Sequence, residues 1–274
     1  MDGDRAVLVR AADRRTGARV SERAIRAAWL YPELMNVYAD RGNVIALGAR
    51  CAEHDLGCEV LHVGLDDELP GDVDLVLIGG GQDREQRRVA PDLQRHAARL
   101  HEWKGEGVAF LAVCGGFQLF GDGYRTSRGE ELPGVGLFDV TTVAPPPDAE
   151  RCVGDVLAET ELASIGEVVG FENHVGRTYL GPGVRPFARV RYGWGNNGVD
   201  GTEGAVTGSA LGTYLHGSLL PRNPAVTDWL IAAALRRRYG PDATLEERPD
   251  GSYAIEARRA AADAARERGR APAD

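Results

Sequence analysis

Along the chain, apolar residues gather in short continuous runs that end at glycine, proline or a polar turn. Residues 24–31 form the first and are closed by Pro32, residues 58–63 the second, 73–78 the third and 108–113 the fourth. Runs apolar on both faces predict parallel strands buried from both sides. Between the first two, Val44, Leu47 and Cys51 recur at helical spacing, which places Cys51 in a core. Before the fourth, Leu93, Ala97, Leu100 and Trp103 trace the apolar stripe of one amphipathic helix. Strands alternating with helices predict an α/β fold: a doubly wound, mostly parallel sheet with helices on both faces.

Beyond Gly121 the pattern changes. Residues 134–143, 168–174 and 188–194 read as strands separated by glycine-rich turns, a β-rich excursion from the same domain. Residues 210–217 return to the sheet, and a helix follows with Asn223 as its N-cap and Pro224 at its first position. The polar residues 1–21 read as an N-terminal tail and 239–274 as a C-terminal tail, leaving 22–238 as the main domain. The Ala, Arg and Glu run near the end predicts either a helix lying on something or a disordered segment.

Composition narrows the class. The 274 residues are 43% hydrophobic and 27% charged, which suits a globular chain, and no apolar run approaches membrane-spanning length. A net charge of −9 argues against nucleic acid and against unaided binding to an anionic membrane. The first residues carry no signal-peptide core. Four irregularly spaced cysteines without a C-x-x-C pair form neither a disulfide framework nor a metal site, so a cytoplasmic location is expected.

Candidate chemistry sits where predicted strands end. The fourth run stops at Cys114-Gly115-Gly116 and a helix-like segment begins. A thiol there faces unpaired N–H groups that favour a thiolate; a small residue packed at a strand end is the alternative. Among six histidines, His174 and His216 are the candidates, and His216 is the better placed because its strand returns late to the sheet and Gly217 follows it. A cysteine and a histidine at neighbouring strand ends can pair as nucleophile and base. Gly79-Gly80-Gly81 either offers a backbone N–H to an oxyanion, with Gly115 as the second donor, or is a plain turn. No Gly-Lys-Ser/Thr follows, so a nucleotide-binding loop is not expected.

In order, Leu77-Ile78-Gly79-Gly80-Gly81, Cys114-Gly115-Gly116 and Tyr214-Leu215-His216-Gly217 resemble the class I (triad) glutamine amidotransferases, in the cobyric-acid-synthase-like branch. Asp40-Arg41-Gly42-Asn43, residues 79–86, residues 170–178 and Gly193-Trp194-Gly195-Asn196-Asn197 resemble more closely the glutaminase-subunit family of lipid II isoglutaminyl synthases. The resemblance spans roughly residues 24 to 235. It implies a flavodoxin-like sheet and hydrolysis of L-glutamine to glutamate and ammonia through a thioester on Cys114. His216 is then base and acid, backbone N–H groups near Gly80 and of Gly115 hold the oxyanion, and Arg151 binds the substrate carboxylate. Asn173 and His174 are not expected to be catalytic.

The resemblance also implies a Mur-ligase-like ATP-dependent partner that carries the ATP and Mg²⁺ and amidates D-glutamate of the lipid II stem peptide to D-isoglutamine. No cofactor is expected on this chain. Two other readings are an amidotransferase with another acceptor, such as a cobyric-acid-type synthase, and a non-catalytic module on the same fold. In the ordinary triad a carboxylate stands two residues beyond the histidine, where this chain has Ser218. The missing acid comes from elsewhere in the chain, from the partner, or from nowhere in a dyad; the partner is the expected source.

Overall fold

The computed structural model describes residues 6–8, 23–162, 165–216 and 219–271. Five parallel strands form its centre: β2 (Ala24–Leu30), β3 (Gly57–Val63), β4 (Leu75–Ile78), β5 (Ala109–Val113) and β15 (Ala210–Thr213). With the edge strands β1 (Ala6–Leu8) and β14 (Ala205–Thr207), the sheet runs β1-β3-β2-β4-β5-β15-β14, both edges antiparallel. All five residues of β5 are buried, as a strand covered on both faces requires. Helices α1 (Arg41–Glu53), α2 (Asp83–Arg95), α3 (Ala97–Gly105) and α6 (Pro224–Tyr239) link and cover these strands, and the short α4 (Gly115–Phe120) and α5 (Leu219–Arg222) sit near their ends.

The excursion holds two four-stranded sheets. One runs β10-β9-β12-β13, from Gly166–His174, Cys152–Thr160, Ala188–Tyr192 and Thr202–Glu203. The other runs β11-β8-β6-β7, from Arg177–Leu180, Val140–Val143, Gly123–Arg125 and Glu131–Pro133. Phe138, Val140, Val156 and Val168 join the same buried cluster as the central sheet, so the excursion shares one core with it.

Several expectations change. Within the predicted N-terminal tail, β1 pairs with the edge of β3; the rest of that stretch lies outside the described residues. The C-terminal stretch contains α7 (Ser252–Arg268), whose Ala261, Ala262 and Ala265 pack on Leu157 and Val169. It is an integral layer: β9 and β10 alternate, turning Val156, Ala158 and Val168 to the main core and Leu157 and Val169 to α7. The single helix expected around residues 93–103 is two, broken at His96. Of residues 134–143 only Val140–Val143 is strand. Asn223 stands at the N-cap position of α6 but makes no side-chain cap; its amide instead pairs with Val169, accepting from N–H at 3.0 Å and donating to the carbonyl at 2.8 Å.

Candidate active site

β2, β4, β5 and β15 are consecutive neighbours, and their carboxyl ends deliver Asp40, the Gly79–Gly81 turn, Cys114 and His216 to one place. This is the edge at which open parallel sheets bind ligands. A cleft of about 590 Å³ opens there, lined among others by Tyr38, Gly81, Cys114, Gln118, Arg151 and Asn173.

Cys114 is at φ 51°, ψ −107°, between β5 and α4. Such backbone strain costs of order 1–3 kcal/mol in a non-glycine residue and persists only where the surroundings enforce it. Cys114 N–H donates to the Thr213 carbonyl at 2.8 Å, tying the elbow to β15. The two following glycines serve close approach, since the left-handed φ falls on the cysteine. A Cβ on Gly115 would lie 2.8 Å from Gly81 N and one on Gly116 2.8 Å from the Gly79 carbonyl oxygen. The elbow and the turn after β4 therefore pack backbone to backbone.

His216 is buried, with its N–H bonded to the Phe171 carbonyl at 2.9 Å. Its Nδ1 lies 3.3 Å from Asp40 Oδ1. The other carboxylate oxygen, Oδ2, accepts the Gly80 N–H at 2.6 Å. Burial opposes protonation of the imidazole, but the charge of Cys114 and the hydrogen bond and charge of Asp40 outweigh it and push its pKa up to about 10. Cys114 raises it through its charge and through a contact with the ring, although Nε2 has no hydrogen bond of ordinary geometry among the described residues.

These contacts correct two expectations. Where an acid from a partner was expected, a carboxylate of this chain stands beside the imidazole: the segment after β2 brings Asp40 to His216, and Ser218 lies outside the described residues. Gly80 is not free to receive an oxyanion, because its N–H is spent on Asp40. The N–H groups of Gly81 and Gly115 carry no hydrogen bond among the described residues, and Gly81 lines the cleft. Of the two neighbouring glycines, Gly81 is therefore the one whose N–H is open to a ligand. The sequence shows three successive glycines but not which N–H is spent. Asp40 had a usable signal, a carboxylate directly ahead of a helix that follows a strand.

Arg151 does reach the cleft. Its guanidinium donates to Asn173 Oδ1 at 2.8 Å and makes no ion pair among the described residues, so its charge is uncompensated. His174 stacks on Tyr214 with ring centroids 3.7 Å apart, and burial holds its pKa down to about 3, so it stays a neutral wall of the cleft. Glu172 accepts the N–H groups of Trp194 at 2.6 Å and Gly195 at 2.9 Å, joining two of the sequence motifs structurally. Burial raises its pKa to about 8. Glu203 braces the approach to His216 by accepting the Thr213 hydroxyl at 2.5 Å and the Tyr214 N–H at 2.9 Å, and burial raises it to about 7.

Residues 26–224 match the CobB/CobQ-like glutamine amidotransferase domain. The chain is 38% identical over 205 residues to the lipid II isoglutaminyl synthase (glutamine-hydrolyzing) subunit GatD of Staphylococcus aureus, covering 74% of this chain and 82% of that protein. The subunit of the same name from Streptococcus pneumoniae is 35% identical over 225 residues, 81% and 84% of the two chains. Among solved structures, a glutamine amidotransferase superposes with a TM-score of 0.53 at 15% identity, over 76% of this chain and 98% of that one, a likeness of fold. With the family model spanning most of the chain and the cysteine, histidine and glycine turn at adjacent strand ends, this protein belongs to the CobB/CobQ-like glutamine amidotransferase family.

Proposed function

We propose that this chain is the glutamine-hydrolysing subunit of a lipid II isoglutaminyl synthase. Glutamine enters the cleft with its α-carboxylate paired to the uncompensated guanidinium of Arg151. Cys114 Sγ attacks the side-chain amide carbon, and the N–H groups of Gly81 and Gly115 hold the negative charge that develops on oxygen. His216 passes its proton to the departing nitrogen, which leaves as ammonia. A γ-glutamyl thioester remains on Cys114. Water, deprotonated by His216, attacks that carbonyl, and glutamate leaves as the thiol is restored. Asp40 holds the imidazole in the tautomer and tilt that both steps need.

The ammonia passes to a Mur-ligase-like ATP-dependent subunit that holds the ATP and Mg²⁺ and amidates D-glutamate of the lipid II stem peptide. Lipid II meets the complex through that partner, so this chain needs no membrane insertion; among its described residues no helix is long and apolar enough to cross a membrane. The complex works at the inner face of the membrane, and this chain remains cytoplasmic.

The observation that carries the glutaminase reading is the assembly of Asp40, His216, Cys114 and two unspent N–H groups on four neighbouring strand ends. What supports the acceptor is the likeness to two lipid II isoglutaminyl synthase subunits over more than four-fifths of their lengths. The test is co-purification of the chain from its own cells, mass identification of the bound subunit, and assay of the complex with glutamine and lipid II. A Mur-ligase-like chain and glutamine-dependent amidation are expected. A corrin-amidating partner would contradict the acceptor, and a complex that releases no ammonia from glutamine would contradict the chemistry.

A further inference from the structure

The segment Val37-Tyr38-Ala39-Asp40 touches the glycine turn at Gly80, His216 and Asn173. Val37 N–H donates to the Gly80 carbonyl at 3.2 Å and Asp40 Oδ2 accepts the Gly80 N–H, so the peptide groups on both sides of Gly80 are fixed from one segment. One of those peptide groups carries the Gly81 N–H. Tyr38, between these two contacts, has φ 52°, and Ala39 has φ 63°. Two successive non-glycine residues in the left-handed region are held by their contacts, against their own preference.

The contacts of Tyr38 run in two directions. Its ring meets the His216 imidazole edge to face, centroids 4.8 Å apart, and the Phe171 ring at 6.1 Å. Its hydroxyl accepts Asn173 Nδ2 at 2.8 Å, and Asn173 Oδ1 in turn accepts from Arg151 at 2.8 Å. One side chain thus joins the histidine to the cation on the far side of the cleft. Tyr38 is nevertheless 49% exposed and lines the cleft, so it is a surface residue held in place by polar contacts rather than by a surrounding core. Asn173 is a neutral bridge: it aims the guanidinium without cancelling its charge.

Resting on the glutaminase reading above, we infer that Tyr38 is a positioning residue that couples recognition of the substrate's α-carboxylate at Arg151 to alignment of His216. A carboxylate on Arg151 immobilises the guanidinium, and with it Asn173 and the Tyr38 hydroxyl. The tyrosine ring then holds the imidazole at the tilt set by Asp40. An amide without the carboxylate leaves that chain slack and meets a less ordered base. The coupling therefore selects glutamine in the chemical step as well as in binding.

The test uses the full chain with glutamine and with 4-aminobutanamide, which keeps the side-chain amide and lacks the α-carboxylate. In the unaltered protein kcat for 4-aminobutanamide is expected to fall at least tenfold below that for glutamine. Tyr38→Phe keeps the ring and cuts the link to Asn173: KM for glutamine should rise several-fold and the kcat ratio between the two amides should shrink. Asn173→Ala should do the same, and the double variant should be no worse than either single one, because both cut one chain. Tyr38→Leu, which also removes the ring, should lower kcat further and move the alkaline limb of its pH profile. Effects of Tyr38→Phe and Asn173→Ala that multiply, or a Tyr38→Phe variant with unchanged KM and kcat ratio, would overturn the coupling. Turnover retained in Cys114→Ala would overturn the underlying glutaminase reading, and the coupling with it.

Discussion

Asp40 Oδ1 lies 3.3 Å from Nδ1 of His216, and the two residues are 176 positions apart in the chain. One arrives at the end of the first central strand and the other at the end of the last, so the pair exists only because β2, β4, β5 and β15 lie side by side. The other oxygen of the same carboxylate accepts the Gly80 N–H at 2.6 Å, so one side chain ties the imidazole to the glycine turn.

Asp40→Asn keeps the size of the side chain and removes its charge. kcat for glutamine hydrolysis should fall by up to about 10⁴-fold while KM changes little, since the wrong imidazole tautomer is then favoured. The pKa of His216 is raised to about 10, with burial opposing the shift and Cys114 and Asp40 outweighing it. The protonated imidazole should therefore persist through neutral pH and be lost as pH rises through about 10. In Asp40→Asn the alkaline limb of the rate profile should move to lower pH. Steady-state kinetics across pH checks both outcomes; an unchanged limb would remove Asp40 from the mechanism.

Gly115→Ala tests the oxyanion pair. Its Cβ would fall 2.8 Å from Gly81 N and 2.9 Å from Gly81 O, forcing the two donors apart. Loss of one donor in such a site costs about 10²- to 10³-fold in kcat. The expected result is a drop of that size with Cys114 still open to a small alkylating reagent, and full activity would contradict the placement.

Arg151→Ala removes a charge-assisted pair worth about 1.5–3 kcal/mol. KM for glutamine should rise by roughly ten- to a hundredfold, since 1.4 kcal/mol is a factor of ten. In the proposed complex with a ligase subunit, ammonia supplied in solution should still support amidation. Unchanged glutamine kinetics would return Arg151 to an ordinary surface role.

The buried acids give stability a pH dependence. Burial raises Glu203 to about 7 and Glu172 to about 8, so the fold prefers both neutral, and each loses stability as pH climbs from 4.5 toward its raised value. His174, held down to about 3 by burial, works the other way: its contribution is complete above 6.5 and is lost as pH falls from there toward 3. His216, raised to about 10, contributes fully below 6.5 and is lost as pH rises through 10. Between pH 4.5 and 6.5 the two glutamates outweigh His174, so the four groups together should give a stability that peaks near pH 4.5 and declines above it, most steeply beyond 6.5. Glu203→Gln should flatten the decline between pH 4.5 and 7, where Glu203 contributes up to about 1.4 kcal/mol per pH unit. Urea midpoints at pH 5.5, 7 and 8 decide; a variant whose midpoints parallel those of the unaltered chain would contradict the assignment.

The alternating runs and the Cys114-Gly115-Gly116 elbow made the parallel sheet and the nucleophile legible, because a strand buried on both faces is apolar throughout and a sharp strand-to-helix turn needs glycine where backbones touch. Asp40 stood out locally as a carboxylate ahead of a helix, but its pairing with His216 was not legible, since that is set by strand order, which no local pattern encodes. Gly81 could not be told from Gly80, because the difference is one hydrogen bond to a side chain 40 residues away. Strand Cys152–Thr160, absent from the sequence reading, carries a glycine and an aspartate and lies between the central core and α7, so its alternation is blurred. The C-terminal run left a packed helix and a disordered segment equally open because three alanines, rather than large apolar residues, make its contact.

The central claim is that Cys114 is the thiol which His216 and Asp40 serve. Its most direct measurement is the rate and site of labelling by an electrophilic glutamine analogue, read by peptide mass spectrometry in the full chain and in Asp40→Asn. Cys114 should be modified, Cys51, Cys58 and Cys152 spared, glutamine should protect, and the Asp40→Asn protein should label at least tenfold more slowly. Labelling of another cysteine, or of Cys114 at an unchanged rate in Asp40→Asn, would contradict the account.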